Sequence, residues 1–305
     1  MSVYEDMQSL IGNTPLVKLA HVSQEKGIQL YAKLELYNPS GSVKDRVGKY
    51  MIEDAIQTGK LVPGGTVIEA TAGNTGLGIA FAALGRGYRV IFVVPTKFSV
   101  EKQQLMRALG AEIISTPREE GMLGAERKAK ELLETIPNAI TLGQFHNPMN
   151  PKAHYETTGP EIYKDMKGKI DYIIAGAGSG GTFSGIVKYL KEQNPDIKAV
   201  LADPEGSTIG GGEHHDYNIE GIGNDFIADT MDISLVDQVI KVNDEEAFEG
   251  SLELASKEGI IAGTSSGAAF AAAKKLANQV QNVNVVIVLP DRGDRYFSTG
   301  LWERK

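Results

Sequence analysis

The chain has no cysteine. That excludes disulfides, thiolate catalysis and Cys-ligated zinc together, and it fits a cytoplasmic location. An excess of positive charge is missing too. Against 39 Asp and Glu stand 31 Lys and Arg, giving a net charge of −8 with no basic run. Nucleic acids and anionic membranes are bound through clustered Lys and Arg, so neither is an expected partner. No stretch reaches the ~18 uninterrupted apolar residues of a membrane span. The N-terminus, MSVYEDMQSLIGNTP, lacks the basic and apolar regions of a signal peptide. The 5 histidines fall in no metal-ligand spacing, so no metal is expected, and no G-x-S-x-G elbow marks a hydrolase triad.

Glycine, by contrast, is abundant: 35 of 305 residues, against roughly 7% in average chains. No collagen-like period absorbs them, so they belong in turns and ligand loops. At ~150 residues per domain the length suggests about two domains, each able to bury a core without staples. Short apolar runs predict strands at 29–34, 66–70, 89–94, 112–115, 172–175, 199–202 and 285–289. Amphipathic or alanine-rich patterns predict helices at 43–58, 75–85, 100–109, 124–134, 182–193 and 267–278. Near-continuous apolar strands alternating with helices imply parallel sheets covered on both faces, a doubly wound α/β architecture. Residues 144–151, QFHNPMNP, form a soft boundary between two such series. The expected domains are therefore 1–149 and 150–305, with the N-terminal strands free to join the second. Residues 203–223, containing GGGEHHDYN, read as a long loop.

Four turns carry the chemistry. The first is NPSGSVKDR, residues 38–46, where Ser42 and Asp45 match a capping box and put Lys44 in the first helical turn. The positive end of the helix dipole disfavours an ammonium there, and burial would lower its pKa further, as Schiff-base chemistry needs. By position alone, a surface lysine is the plainer reading. The second is TAGNTG, residues 71–76, a βα turn suited to an anion or simply capped by Asn74 or Thr75. The third is GAGSGGT, residues 176–182. It suits a phosphate, and it also satisfies G-x-G-x-x-G with Asp203 about 20 residues on, the dinucleotide fingerprint. An NAD-binding oxidoreductase therefore stays open at this point. The fourth is GTSSGA, residues 263–268, where the two serines either cap a helix or face a ligand.

These turns occur in the order lysine, asparagine, glycine and serine. With IGNTPL at 11–16 and DRGDRYFST at 291–299, the order resembles the cysteine synthase/cystathionine β-synthase family of fold-type II pyridoxal-phosphate (PLP) enzymes. The resemblance covers essentially the whole chain and implies two α/β domains with the PLP cleft between them. It replaces the dinucleotide reading with a site for one phosphate. By this resemblance Lys44 would hold PLP and act as base and acid. Asn74 would bond the ring hydroxyl, and Gly178, Ser179, Gly180, Gly181 and Thr182 would cradle the phosphate. Ser265, in preference to Ser266, would face the pyridine nitrogen. Thr71, Ala72, Gly73, Thr75 and Gln144 match positions that bind the amino-acid carboxylate, and Gly221 matches a loop on the second-substrate side.

The implied reaction is β-replacement on an O-activated serine. The family's commonest asparagine turn reads T-S-G-N-T-G, and here Ala72 replaces the serine. That change, with EGMLG at 120–124, resembles the bacterial O-acetylserine-dependent cystathionine β-synthases, in which the nucleophile is homocysteine. Cysteine synthase, using sulfide, is the near alternative; a serine/threonine dehydratase is more distant. Small amino-acid substrates and a homodimer are expected, and the resemblance admits serine acetyltransferase as a partner. It extends over the catalytic core alone, with no haem-binding extension or regulatory module expected.

Overall fold

The computed structural model describes residues 3–71, 73–96 and 99–303. In chain order the strands are β1 (Leu16–Lys18), β2 (Gln29–Leu34), β3 (Thr66–Ala70), β4 (Arg89–Pro95), β5 (Glu112–Thr116), β6 (Ala139–Ile140), β7 (Tyr172–Gly176), β8 (Lys198–Pro204), β9 (Gln238–Val242) and β10 (Asn284–Leu289). The helices are α1 (Ala20–Lys26), α2 (Lys44–Gln57), α3 (Asn74–Ala83), α4 (Val100–Ala108), α5 (Gly121–Thr135), α6 (Met149–Ala153), α7 (Gly159–Asp165), α8 (Gly181–Gln193), α9 (Asp244–Glu258) and α10 (Thr264–Ala277). Among the described residues no helix is long and apolar enough to cross a membrane.

The chain divides into two compact units: Met1–Ile11 with Lys44–Met149, and Gly12–Val43 with Asn150–Lys305. Residues 12–43 join the second unit because β2 is an interior strand there, antiparallel to β1 and parallel to β10. The reach from Gln29 to Asn284 is a non-local pairing, and nothing in the local pattern of residues 29–34 announces it.

The first unit carries a four-stranded parallel sheet in the order β5-β4-β3-β6. Alternate residues point to opposite faces, and both faces are buried. Val67, Phe92 and Val94 pack with Val47 and Met51 of α2 and Leu77 and Ile79 of α3. Ile68, Ile91 and Val93 pack with Ala125 and Ala129 of α5. The second unit carries a six-stranded sheet in the order β1-β2-β10-β7-β8-β9, parallel except for β1. Val285, Ile287 and Leu289 of β10 share one core with α10, while Val286 and Val288 share the other with Phe183, Ile186 and Leu190 of α8.

The strand orders place the ligand turns. In an open α/β sheet a crevice opens at the carboxyl ends of the strands where the order reverses. In the first unit the chain runs β3, β4, β5 one way and then returns to the other side of β3 as β6. In the second it runs β7, β8, β9 and returns to the other side of β7 as β10. The asparagine turn follows β3, residue 144 follows β6, and the glycine turn follows β7.

Candidate active site

In the first unit the helix carrying Lys44 begins at Lys44 itself. Ser42 lies outside it, in an antiparallel bridge with Asp291. Lys44 is partly buried, and desolvation of its amine lowers the pKa from the usual 10.5 to about 8. The surface-lysine reading therefore fails on the environment of the amine.

Two glycines locate this lysine. A Cβ at Gly48 of α2 would lie 2.3 Å from the Gly78 carbonyl oxygen, and one at Gly78 of α3 would lie 2.2 Å from the Lys44 carbonyl oxygen. The two helices thus meet backbone to backbone. Asn74 lies four residues before Gly78, on the same face of α3, so the contact brings the start of α3 beside the start of α2. Neither Asn74 nor Thr75 caps α3. The cap position is Gly73, with no side-chain cap bond, and Asn74 is the first helical residue. A Cβ at Gly73 would meet nothing within 4 Å, so the backbone there is open to approach. Thr71 is buried, and its Oγ1 accepts from Gly73 N at 3.5 Å. Thr75 Oγ1 donates to Gln144 Oε1 at 2.6 Å, which turns the Gln144 amide nitrogen away from Thr75. Ala72 lies outside the described residues.

In the second unit the glycine turn joins β7 to α8, a 13-residue helix. The first amides of such a helix have no intrahelical acceptor and form a ready anion site. Gly180 is the cap, at φ +81°, and a Cβ there would lie 2.3 Å from Met231 Cβ. At Gly181 a Cβ would strike the Asn150 side chain at 2.1 Å. Asn150 Nδ2 donates to Ser179 Oγ at 2.9 Å, and Thr230 Oγ1 donates to the Ser179 carbonyl at 2.5 Å. Thr182 Oγ1 lies 3.1 Å from Nε2 of the fully buried His154, whose Nδ1 lies 2.9 Å from Thr158 Oγ1. Sequence reasoning missed Asn150, His154 and Thr230, because their link to this turn is tertiary.

Gly221 meets the same turn, and Ser265 lies beside Gly221. A Cβ at Gly178 would lie 2.7 Å from the Gly221 carbonyl oxygen, and one at Gly221 would lie 4.0 Å from Ser265 Oγ. Serine capping of α10 does not occur: the cap is Gly263, with no side-chain bond, and Ser265 and Ser266 sit within the first turn. Both are buried, and Ser266 Oγ has no hydrogen-bond partner among the described residues. A buried hydroxyl without a partner is unusual and marks a place where a ligand can bond. The dinucleotide alternative fails on Asp203. It is fully buried and paired with a cation rather than open to a ribose: its Oδ2 accepts from Lys241 Nζ at 2.5 Å and Gly210 N at 3.0 Å, while its Oδ1 has no partner among the described residues.

Taken unit by unit, the residues fit a group that carries an aldehyde and a phosphate. A lysine with a lowered pKa suits the first, and a glycine turn opening a long helix suits the second.

Comparison with known proteins agrees. A family model described as pyridoxal-phosphate dependent enzyme matches residues 7–291. The chain is 50% identical over 304 residues to a Bacillus subtilis protein named O-acetylserine dependent cystathionine beta-synthase, covering 99% of each chain. It is 46% identical over 299 residues to a Helicobacter pylori protein named cysteine synthase, covering 97% of this chain and 98% of that one. A crystal structure of an O-acetylserine dependent cystathionine beta-synthase from Helicobacter pylori matches with a TM-score of 0.93 at 46% identity, covering 99% of this chain and 100% of that one.

Proposed function

The chain belongs to the pyridoxal-phosphate dependent enzyme family, and from that premise we propose that it catalyses β-replacement on O-acetyl-L-serine (or L-serine) with L-homocysteine, forming cystathionine. When bound, PLP supplies a carbonyl for amine exchange and an electron sink for charge developing at Cα. Lys44 holds the cofactor and, once displaced by the substrate amine, takes the Cα proton. The Cβ–O bond breaks and the leaving group departs with its electron pair, as acetate from O-acetylserine or, with a proton taken up, as water from L-serine. The homocysteine sulfur, its thiol proton given up to the leaving group or solvent, then bonds to Cβ, and Lys44 returns its proton to Cα. A pKa near neutrality suits a group that must accept and give back a proton in one turnover.

Asn74 would bond the cofactor's ring hydroxyl, Gly178–Thr182 would hold its phosphate, and Ser265 would serve its ring nitrogen. The turn Thr71, Ala72, Gly73, Thr75, with Gln144, binds the amino-acid carboxylate. The bond from Thr75 to Gln144 Oε1 supports this role, because it ties Gln144 to the turn that carries Thr71 and Gly73. Gly221 lines the side on which the second substrate enters. The desolvated amine of Lys44 is the observation that carries the mechanism.

The choice of homocysteine rests on Ala72. A methyl there removes a hydroxyl that a small hydrosulfide anion could use. A thiol that brings its own amine and carboxylate depends less on that contact. The cysteine synthase reading, with sulfide as nucleophile, is favoured by the name of the Helicobacter pylori relative. A homodimer of this chain is part of the proposal. The test gives the PLP-loaded protein O-acetylserine with equal homocysteine and sulfide and identifies products by mass spectrometry. Cystathionine is the expected main product; mostly cysteine overturns the assignment of homocysteine.

A further inference from the structure

Strand β6 has only two residues, paired with Thr66 and Val67 of β3. Beyond Ile140 no ladder among the described residues holds the chain, yet Leu142 is buried and the backbone turns at Gly143, with φ +64°. Amides left without a ladder partner in a buried segment need another acceptor. A single side chain supplies it. Glu69, buried in the apolar run of β3, accepts from Thr141 Oγ1 at 2.9 Å, from Gly143 N at 2.9 Å and from Leu142 N, all on Oε1. The next residue is Gln144, which Thr75 holds from the other switch-point turn. Burial raises the Glu69 pKa, and the three donors oppose that shift without cancelling it.

We infer that Glu69 is a positioning residue: its carboxylate replaces the missing ladder after β6 and fixes the loop that presents Gln144 to the substrate carboxylate. Sequence reasoning passed over it. The signal was an acidic residue within the apolar strand VIEA. The inference rests on the proposed role of Gln144, and the experiment separates the two.

The PLP-loaded full-length protein is compared as wild type, Glu69→Ala, Glu69→Gln, Gln144→Ala and the double variant Glu69→Ala/Gln144→Ala. KM and kcat for O-acetylserine are measured. The dissociation constant for L-alanine, which has no leaving group at Cβ, is read from the cofactor absorbance. Glu69→Ala is expected to raise KM and the alanine dissociation constant about tenfold while kcat changes by less than about threefold. Glu69→Gln, which keeps an oxygen acceptor, is expected to stay within about threefold of wild type. The double variant should be no worse than Gln144→Ala, because Glu69 acts through that residue. Unchanged binding in Glu69→Ala overturns the inference, as do losses that multiply independently in the double variant. Unchanged binding in Gln144→Ala overturns the reading of Gln144 itself, and the inference with it. Should Glu69→Ala not fold, Glu69→Asp, one methylene short of the loop, is expected to show the same rise in KM; an unchanged KM there overturns the inference.

Discussion

Replacing Gly78 by alanine probes the packing that locates Lys44. The added Cβ would lie 2.2 Å from the Lys44 carbonyl oxygen and 2.6 Å from its carbonyl carbon. That is about an ångström or more inside van der Waals contact. Both partners are backbone, so no flexible side chain can yield. Two effects compete. Alanine favours a helix interior over glycine by about 1 kcal/mol, whereas overpacking costs about 1–3 kcal/mol and sometimes more. Overpacking wins here, because relief requires α2 and α3 to separate. The expected net loss is up to about 2 kcal/mol, and the melting temperature falls by up to about 6 °C. The functional loss should be larger. A displacement of the first turn of α2 by about 1 Å moves the Lys44 amine, and misplacement on that scale can cost about 100-fold in rate. Thermal unfolding of the cofactor-free protein, visible absorbance of the lysine-linked cofactor and kcat/KM are measured together. Gly48→Ala should behave alike, since its Cβ would strike the same crossing at the Gly78 carbonyl. The double variant should then cost less than the two singles added. A Gly78→Ala protein that melts higher and turns over at the wild-type rate refutes the reasoning.

Lys44→Ala is expected to abolish turnover while the circular dichroism of the fold persists; turnover at the wild-type rate sinks the mechanism. In the cofactor-free protein the folded-state pKa of Lys44, about 8, lies below its ordinary 10.5. Between these values the unfolded chain binds the proton that the folded one has released, so stability should rise with pH across that window. The penalty below pH 8 is about 2–3 kcal/mol after allowing for residual solvent, and urea midpoints of Lys44→Met should lack this part of the slope. Gly180→Ala forces a side chain into φ +81° and against Met231, so PLP titration should show weakened cofactor binding; unchanged affinity would mean that the turn is not the phosphate site. Lys33 is fully buried, 2.7 Å from Glu161 and 2.6 Å from the Thr14 carbonyl. Lys33→Met should cost about 3–5 kcal/mol by leaving a carboxylate without its cation, with much of the loss recovered in Lys33→Met/Glu161→Leu.

Much of the architecture was legible from residue order. Residues 29–34 and 66–70 were predicted as strands with the bounds they take as β2 and β3, and the helices carrying Lys44 and following the asparagine and glycine turns start within a residue of expectation. These elements have strong local signals: apolar runs bounded by turns, and glycine or hydroxyl residues at helix starts. Helix α9 was not predicted, although Asn243 and Glu246 form a capping box that the sequence spells out. Strands β1, β6 and β9 were missed for a different reason. They have three, two and five residues, and their burial is partial, so no apolar period develops.

For the site, the sequence by itself determined which chemical groups are available. It carries a lysine at a helix start, a glycine turn between a strand and a helix, and paired hydroxyls before an alanine-rich helix, in one order along the chain. Those features depend on residues within a few positions of one another. Only the tertiary structure decided what surrounds each group. It desolvated the Lys44 amine, buried Ser266 without a partner among the described residues, and paired Asp203 with Lys241. It also moved residues 12–43 into the second unit and set Glu69 beneath a loop more than 70 positions away. The physical reason is that burial and hydrogen-bond partnership are set by strand order, which brings together residues far apart in sequence, whereas turn chemistry and periodicity are local.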